Sequence, residues 1–268
     1  MMSPLPFAEN RVPKPSLRLE TTTFWDYPSQ NYGPGRQGDT RYVGATPSHV
    51  IWNLLQRYTR PGDLVVDPMA GSGTTLDVAR DCGRRALGYD LQPPRKEVFR
   101  ADARRLPLED GKADFVFVDP PYSDHVQYSG RPECIGELKA DTEAYYDEMA
   151  KVIAEIDRIL RPERYLALYV CDSWNKGRPL MPIGPRLFGI LATRFTPVDI
   201  IAVRRHNASL KRNHWHTAAI EGNYLLRGFN YCFVMFKEGR RREGGFPDRR
   251  DPAETASHLR EMSPGDRP

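Results

Sequence analysis

Cysteine is sparse in this chain, and the spacing of the cysteines excludes two classes of site. The four are Cys82, Cys134, Cys171 and Cys232, and no two of them form a Cys-x-x-Cys pair. A cysteine-rich zinc site or a disulfide framework needs cysteines at closer or paired spacing. The sequence therefore predicts a reduced, cytoplasmic protein with no metal site.

Long apolar runs are absent as well. No stretch approaches the roughly 20 apolar residues that span a membrane, and residues 1–15 lack the apolar centre of a signal peptide. Basic residues exceed acidic ones only slightly, 39 to 35, for a net charge of +4. That excess is compatible with a polyanionic partner without requiring one. We expect a soluble protein without membrane contact, either a monomer or a homodimer.

Apolar periodicity is missing at both ends. Residues 1–20 are rich in proline, and residues 239–268 are rich in Arg, Asp, Gly and Pro. Such segments cannot bury enough apolar surface to fold, so we predict two disordered tails. The 268-residue length then leaves one large folded domain, over residues 21–238.

Within that domain, strand-like runs alternate with amphipathic helices. Strands are predicted at 63–67, 85–90, 97–100, 114–118, 165–170, 197–203 and 230–236, and helices at 48–58 (with Ser48 as N-cap), 73–82, 141–160 and 184–193. This alternation predicts an α/β fold with a doubly wound, mainly parallel sheet of seven strands, closed by an antiparallel hairpin. Ligand sites in such sheets lie at the carboxyl ends of the strands.

The tetrapeptide Asp119-Pro-Pro-Tyr122 ends the fourth predicted strand. A carboxylate at Asp119 and the carbonyl of Pro120 could accept both hydrogens of a planar amino group and favour a pyramidal, nucleophilic nitrogen. Pro121 would fix the turn, and the ring of Tyr122 could stack on a base. The alternative is an ordinary strand-ending turn.

A small-residue loop upstream favours the chemical interpretation. The loop, Asp67-Pro-Met-Ala-Gly-Ser-Gly-Thr-Thr75, follows a strand and opens a helix. Its glycines let a ligand approach the backbone closely, and a helix N-terminus favours a carboxylate. Thr74 and Thr75 add hydroxyls. The lysine of a Walker loop is missing, which disfavours a phosphate-binding function.

Further acids follow the next two strands. Asp90 could accept bonds from ribose hydroxyls, and Leu91 could lie against an adenine face. Asp102 could accept the adenine amino hydrogens, although a helix N-cap or a loop acid is the alternative for this residue. The ordered series of acids, each after its own strand, predicts a site for an adenosine-containing cofactor.

These residues, together with Gly88-Tyr-Asp90 and Ala101-Asp102, resemble the S-adenosyl-L-methionine-dependent DNA amino-methyltransferases, which modify adenine N6 or cytosine N4. The resemblance implies a Rossmann-like seven-stranded methyltransferase domain, S-adenosyl-L-methionine as cofactor, DNA as partner and a flipped target base. It implies catalytic roles for Asp119, Pro120, Pro121 and Tyr122. It implies a cofactor-binding set of Thr46, Pro47, Asp67, Pro68, Ala70, Gly71, Ser72, Gly73, Thr74, Thr75, Asp90, Leu91, Asp102 and Ala103.

The chain departs from one subgroup of that family in two respects. Members with a similar loop often carry the tetrapeptide before it, whereas here the loop comes first. No segment has the length of a large target-recognition domain, and the candidates are residues 123–140 and 204–227. Asp119, where other members have Ser, favours adenine N6 over cytosine N4, and both remain open.

A basic segment is the predicted nucleic-acid contact. No acid occurs between Asp199 and Glu221. Basic groups there would neutralise phosphates, and an aromatic ring could stack on a base or wedge into the duplex. The candidate contacts are Arg204, Arg205, Lys211, Arg212, His214 and Trp215. The alternative is a solvated loop with one core tryptophan.

Two other segments have open interpretations. An aromatic group, Phe24, Trp25, Tyr27 and Tyr32 with Arg36 and Arg41, could cover the cofactor or the base, or could form a strap over the sheet. Residues 123–129 are predicted to rim the base pocket.

Two alternatives to DNA methylation stay open. Residues 102–111 before the tetrapeptide are also similar to RNA base methyltransferases that act on guanine N2 of tRNA. A non-catalytic methyltransferase-like subunit that only binds nucleic acid is the alternative of another class, which the complete motifs disfavour.

Overall fold

The computed structural model describes residues 17–33, 35–39, 45–122, 130–174, 179–206 and 208–239. Most of both predicted tails lies outside these ranges, as do Arg41 and the predicted pocket rim at residues 123–129. In the described part of the chain, no helix combines the length and apolar character needed to cross a membrane.

One sheet of eight strands carries the fold. The strands are β1 (Phe24–Trp25), β2 (Leu64–Asp67), β3 (Arg85–Asp90), β4 (Val98–Arg100), β5 (Ala113–Val118), β6 (Leu160–Val170), β7 (Thr196–Arg204) and β8 (Phe229–Lys237). The helices are α1 (Ser48–Tyr58), α2 (Thr74–Asp81), α3 (Glu143–Ile159), α4 (Ile183–Ala192), α5 (Ala208–Lys211) and α6 (Asn213–Glu221).

The strand order is β1-β7-β8-β6-β5-β2-β3-β4, and β8 is antiparallel to both of its neighbours while the other pairs are parallel. The predicted α/β fold with a mainly parallel sheet and a final antiparallel pair is confirmed. The strand number is eight rather than seven. The additional strand β1 has two residues, paired with Ala202 and Val203 of β7, and two residues are too few to show a period in sequence.

Alternation along β5 explains why helices cover both faces of the sheet. Phe115 and Phe117 point into one buried cluster, and Val116 and Val118 point into the other. Successive side chains of a strand face opposite sides, so a fully apolar strand needs cover on both. The first cluster includes residues of α1 and α2, and the second includes residues of α3 and α4.

The aromatic group near the N-terminus forms a strap on the first face. Trp25, Tyr27 and Tyr32 are buried there, and the Tyr27 ring stacks on His49 of α1 with centroids 4.9 Å apart. Of the two interpretations left open, the geometry agrees with the strap. Phe24 remains 59% exposed.

Helix α1 begins differently from the prediction. Pro47 occupies the N-cap position and Ser48 is the first helical residue. The Ser48 hydroxyl instead accepts a hydrogen bond from the backbone N–H of Tyr32 over 3.2 Å. The hydroxyl therefore joins the strap to the helix. The prediction of Ser48 as the N-cap was wrong, because its hydroxyl bonds to the distant backbone N–H of Tyr32 and not to the first turn of α1.

Candidate active site

Four acids lie at one edge of the sheet. Asp67 and Asp90 are the last residues of β2 and β3, Asp102 follows β4, and Asp119 follows β5. These strands are neighbours in the sheet, and the carboxyl ends of parallel strands meet at one edge. All four acids line a single cavity of about 630 Å³. The acids that are separated in sequence are therefore brought together.

Asp67 fixes the loop that follows β2. Its Oδ1 accepts the backbone N–H of Met69 over 3.0 Å, and its Oδ2 accepts the hydroxyl of Thr75 over 2.5 Å. Burial raises the pKa of Asp67 to about 7, and the nearby Asp90 adds to this, against the lowering effect of the two hydrogen bonds. The loop backbone is thus held at the cavity by a carboxyl group that itself lies deep in the protein.

Two glycines allow the loop to lie close to β3. A Cβ at Gly88 would lie 2.5 Å from Leu76 Cδ1 and 2.8 Å from Ala70 Cβ, so only glycine permits this packing. Gly73 has φ of +78° at the start of α2, a conformation that other residues rarely adopt. Of the predicted cofactor-binding set, Gly73 and Pro47 do not face the cavity, and the other twelve residues do.

Asp90 lines the cavity and also accepts hydrogen bonds from the backbone. Its Oδ2 accepts the backbone N–H of Gly71 over 3.1 Å, and its Oδ1 accepts that of Gln92 over 2.8 Å. The carboxylate therefore joins the end of β3 to the glycine loop. Each carboxylate oxygen has a second lone pair, so both can still accept a bond from a ligand.

Asp102 is held by a neighbouring arginine. The Arg104 side chain donates to both carboxylate oxygens, at 2.9 Å to Oδ1 and 2.6 Å to Oδ2. Burial alone would raise the pKa of Asp102, but these bonds and the guanidinium charge hold it below its usual value. Asp102 is thus an ionised acceptor at the cavity wall.

Asp119 accepts a hydrogen bond from a residue of the segment before α1. The Thr46 hydroxyl donates to Asp119 Oδ2 over 2.6 Å. Burial raises the pKa of Asp119 to about 7, the Thr46 bond lowers it, and the charge of Asp67 raises it. The carboxyl group therefore lies near the midpoint of its titration at neutral pH.

The remaining acceptors of the tetrapeptide are available. Among the described residues, no donor reaches Asp119 Oδ1 or the carbonyl of Pro120. Burial, and then the charge of Asp119, raise the pKa of Tyr122 well above its ordinary value, so its phenol stays neutral. Pro120, Pro121 and Tyr122 all line the cavity. The tetrapeptide and the glycine loop therefore line the same cavity.

The predicted nucleic-acid residues separate into three environments. Arg205 lines the cavity. Arg204 instead forms an ion pair with Asp26 at 2.9 Å. Lys211, Arg212, His214 and Trp215 are exposed on α5, on α6 and between them. The segment is therefore two short helices rather than a loop, and Trp215, 41% exposed, is not a core residue.

Several cavity residues were missed by the sequence interpretation. Asp172, Ser173 and Trp174 follow β6, and Leu226 and Arg227 precede β8. The rule that sites follow parallel strands could have indicated the first three. The other two lie at this edge because β8 runs antiparallel, so that its beginning meets the ends of its neighbours.

The fold and the site define an α/β protein with a cavity at the carboxyl edge of a mainly parallel sheet. A family model described as DNA methylase matches residues 9–100, which include the glycine loop and Asp90. The resemblance to the DNA amino-methyltransferases is thereby confirmed. The family match also agrees with S-adenosyl-L-methionine as the predicted cofactor.

Individual relatives are similar over part of their length. The chain is 27% identical over 172 residues to the Type II methyltransferase M.MthZI of Methanothermobacter thermautotrophicus, covering 60% of this chain and 44% of that protein. It is 33% identical over 82 residues to the Type II methyltransferase M1.MboII of Moraxella bovis, covering 30% and 31%. The chain thus spans less than half the length of these relatives.

Among solved structures, the cyclase SpnF superimposes with a TM-score of 0.49 at 16% identity, covering 73% of this chain and 83% of that one.

Proposed function

We propose that this protein transfers a methyl group from S-adenosyl-L-methionine to the exocyclic amino group of a DNA base, with adenine N6 favoured over cytosine N4. The observation that carries the proposal is the shared cavity. Asp119, Pro120 and Tyr122 face the same space as the loop from Asp67 to Thr75. A nucleophile held by the tetrapeptide would therefore meet a ligand held by the loop.

The cavity residues that follow β2, β3 and β4 fit the cofactor. Asp90 and Asp102 offer carboxylate oxygens for ribose hydroxyls and an adenine amino group, and Leu91 offers an apolar surface. The loop backbone and the start of α2 suit the carboxylate of the methionine part. The volume of about 630 Å³ is in the usual range for small-molecule sites. When bound, the cofactor supplies an electrophilic methyl group on a positively charged sulfur.

Asp119 and Pro120 would activate the amine. An exocyclic nitrogen is a poor nucleophile while its lone pair is conjugated with the ring. No described residue donates to Asp119 Oδ1 or to the Pro120 carbonyl, and these two oxygens would accept its two N–H hydrogens and thus favour a pyramidal nitrogen. Thr46 holds the other carboxylate oxygen, so that the pair of acceptors has a fixed direction.

Asp119 is also suited to receive a proton. As the new nitrogen–carbon bond forms and the carbon–sulfur bond breaks, the nitrogen becomes positively charged and must lose one proton. In the proposed arrangement, Oδ1 already accepts a hydrogen bond from this nitrogen and would take that proton. The Asp119 pKa of about 7 lets the group accept and release a proton near neutral pH. Tyr122 would stack on the flipped base and keep water out.

The exposed cations beside the cavity support DNA as the substrate. Lys211 and Arg212 lie on and just after α5, whose Leu210 lines the cavity. A duplex presented to the cavity would bring its phosphates near these side chains.

The test uses the whole protein with methyl-labelled cofactor and separate pools of DNA and tRNA, followed by analysis of the modified nucleosides. We expect label in N6-methyladenine or N4-methylcytosine from DNA, and at least about 100-fold slower labelling with Asp119→Asn. Label in tRNA N2-methylguanine alone would replace this proposal with the RNA alternative. Absence of transfer to both pools would favour a non-catalytic subunit.

A further inference from the structure

On the β6 and β8 side of the tetrapeptide, the cavity has a further part that the cofactor set and the tetrapeptide do not line. Its walls come from the segment after β6 and from the segment between β7 and β8. Three of its residues have chemistry suited to a nucleotide: Trp174, Arg205 and Arg227. We call this region, defined by these three residues, the second half of the cavity.

The two arginines have no anionic partner among the described residues. Arg205 Nη1 contacts the sulfur of Cys171 at 3.0 Å, and Arg227 Nη2 donates to the carbonyl of Leu225 over 2.7 Å. The Nε of Arg227 is buried and makes no hydrogen bond. Partly buried cations that form no ion pair are costly, so two together at one cavity wall favour an anionic ligand.

Within the described part of the chain, Arg204, unlike Arg205 and Arg227, forms an ion pair. Arg204 precedes Arg205 directly in the chain, but its guanidinium is paired with Asp26 at 2.9 Å. Asp172, the acid of the second half, is engaged elsewhere. Its Oδ1 accepts the Gly184 N–H over 2.9 Å, and its Oδ2 accepts the Tyr231 hydroxyl over 3.2 Å. Both oxygens of Asp172 thus accept bonds from neutral groups, and among the described residues Asp172 forms no ion pair with either arginine.

Trp174 supplies an aromatic surface in the same region. Its ring stacks on that of Tyr224, with centroids 4.8 Å apart and an angle of 22° between the planes. Tyr224 therefore covers one face of the indole and fixes its orientation, while Trp174 itself lines the cavity. A fixed aromatic ring is a good stacking partner for a base of any sequence.

We propose that the second half of the cavity is a slot for a single nucleotide, in which Arg205 and Arg227 bind the phosphate next to the target base and Trp174 contacts that base. The slot deepens the proposed function and rests on it, since it names the substrate unit that the same cavity takes. Guanidinium groups match phosphate oxygens with two hydrogen bonds each and keep their charge at all relevant pH values.

The experiment uses mononucleotides, so the DNA sequence that the protein recognises need not be known. Binding of deoxyadenosine and deoxycytidine 5′-monophosphates is compared with that of the parent nucleosides, by ligand-observed NMR on the whole protein saturated with S-adenosylhomocysteine. For at least one base, we expect the monophosphate to bind the wild type about 10-fold more tightly than the nucleoside, as charged hydrogen bonds allow. Arg205→Gln and Arg227→Gln should each remove most of that advantage, and the matched control Arg204→Gln should keep it.

Three results would overturn the slot. The first is equal binding of nucleoside and monophosphate by the wild type. The second is tighter binding of the monophosphate that persists in both Arg205→Gln and Arg227→Gln. The third is weaker binding of S-adenosylhomocysteine by Arg227→Gln. The last result would assign the arginines to the carboxylate of the cofactor. If either Gln variant loses its thermal transition, Arg→Lys at that position replaces it, since lysine keeps the charge but not the forked geometry.

Methyl transfer to DNA is measured separately on the same preparations. Transfer without a phosphate advantage would leave the proposed function standing and overturn only the slot. A phosphate advantage without transfer would support the slot and contradict the function.

Discussion

The hydroxyl of Thr46 donates a hydrogen bond to Asp119 Oδ2 over 2.6 Å and so joins residues 73 positions apart. Thr46 is itself fixed, because the side-chain amide of Gln30 donates to its backbone carbonyl over 2.6 Å. The strap and the start of α1 therefore set the direction of the carboxylate that we propose to be catalytic. No described residue donates to its second oxygen, Oδ1, which we propose as the acceptor for the substrate.

Asp119→Asn should lower methyl transfer by at least about 100-fold while cofactor affinity changes little, because the carboxylate acts mainly in the transition state. Single-turnover rates and calorimetry with S-adenosylhomocysteine measure the two quantities. The control is Asp110→Asn, at an exposed acid that pairs with Arg158. A near wild-type rate for Asp119→Asn would rule out the mechanism.

Thr46→Val should shift the pH dependence of the reaction. The Thr46 hydrogen bond lowers the pKa of Asp119, which lies at about 7, so its removal raises that pKa. Since the ionised form is the active one, the acid limb of kcat/KM should move to higher pH by about 0.5 to 1 unit. Thr46→Ser, which keeps the hydroxyl, should show the wild-type profile. If the acid limb of kcat/KM in Thr46→Val lies at the wild-type pH, Thr46 does not tune the catalytic carboxylate.

The raised pKa of Asp119 also predicts a cost in stability. The value of about 7 in the folded protein exceeds the ordinary value of 3.8, so the folded state holds this proton more tightly than the unfolded chain does. The contribution favours folding fully below about pH 4 and is lost as the pH rises through 7.

Neutral Asp119→Asn should therefore gain stability over the wild type, and its gain should be larger at pH 8 than at pH 5 by about 1 to 3 kcal/mol. Denaturant unfolding without cofactor at both pH values measures it. A gain that is equal at the two pH values would mean that the carboxyl group is not perturbed as described.

Asp90→Ala should weaken cofactor binding by about 1 to 3 kcal/mol while the rate at saturation stays close to normal. Two effects contribute, because Asp90 can accept bonds from the ribose and also holds the N–H groups of Gly71 and Gln92. Calorimetry gives the affinity, and Asp110→Ala serves as the control. An unchanged affinity would remove Asp90 from the cofactor site.

The exposed cations of the α5–α6 region should contribute to the salt dependence of DNA binding. Replacing Lys211 and Arg212 by Gln should reduce the slope of log K against log salt by up to about 0.9 for each phosphate that is no longer neutralised. The control is the double variant Arg85→Gln with Lys112→Gln, which removes the same charge at the opposite edge of the sheet, where β3 and β5 begin. Its slope should stay close to that of the wild type. Equal slopes for the two double variants would show that α5 and α6 do not face DNA.

The local parts of the architecture could be predicted from sequence. The apolar run from Phe115 to Val118 and the glycine loop after Asp67 are patterns of consecutive residues, so they can be recognised without knowledge of their tertiary contacts. The order of acids after successive strands was enough to predict that they share one edge, since parallel strands end together. The two-residue strand β1 was missed because it exists only through its pairing with β7.

The sequence by itself thus determined the fold class, the glycine loop and the tetrapeptide, because periodicity and small residues act over short distances. Only the tertiary structure decided which side chains meet. Arg204 and Arg205 are adjacent and chemically identical, yet one pairs with Asp26 and the other lines the cavity. Arg227 joins Arg205 there because β8 runs antiparallel. Contacts of this kind depend on strand order and direction, which hydrophobic patterns do not encode.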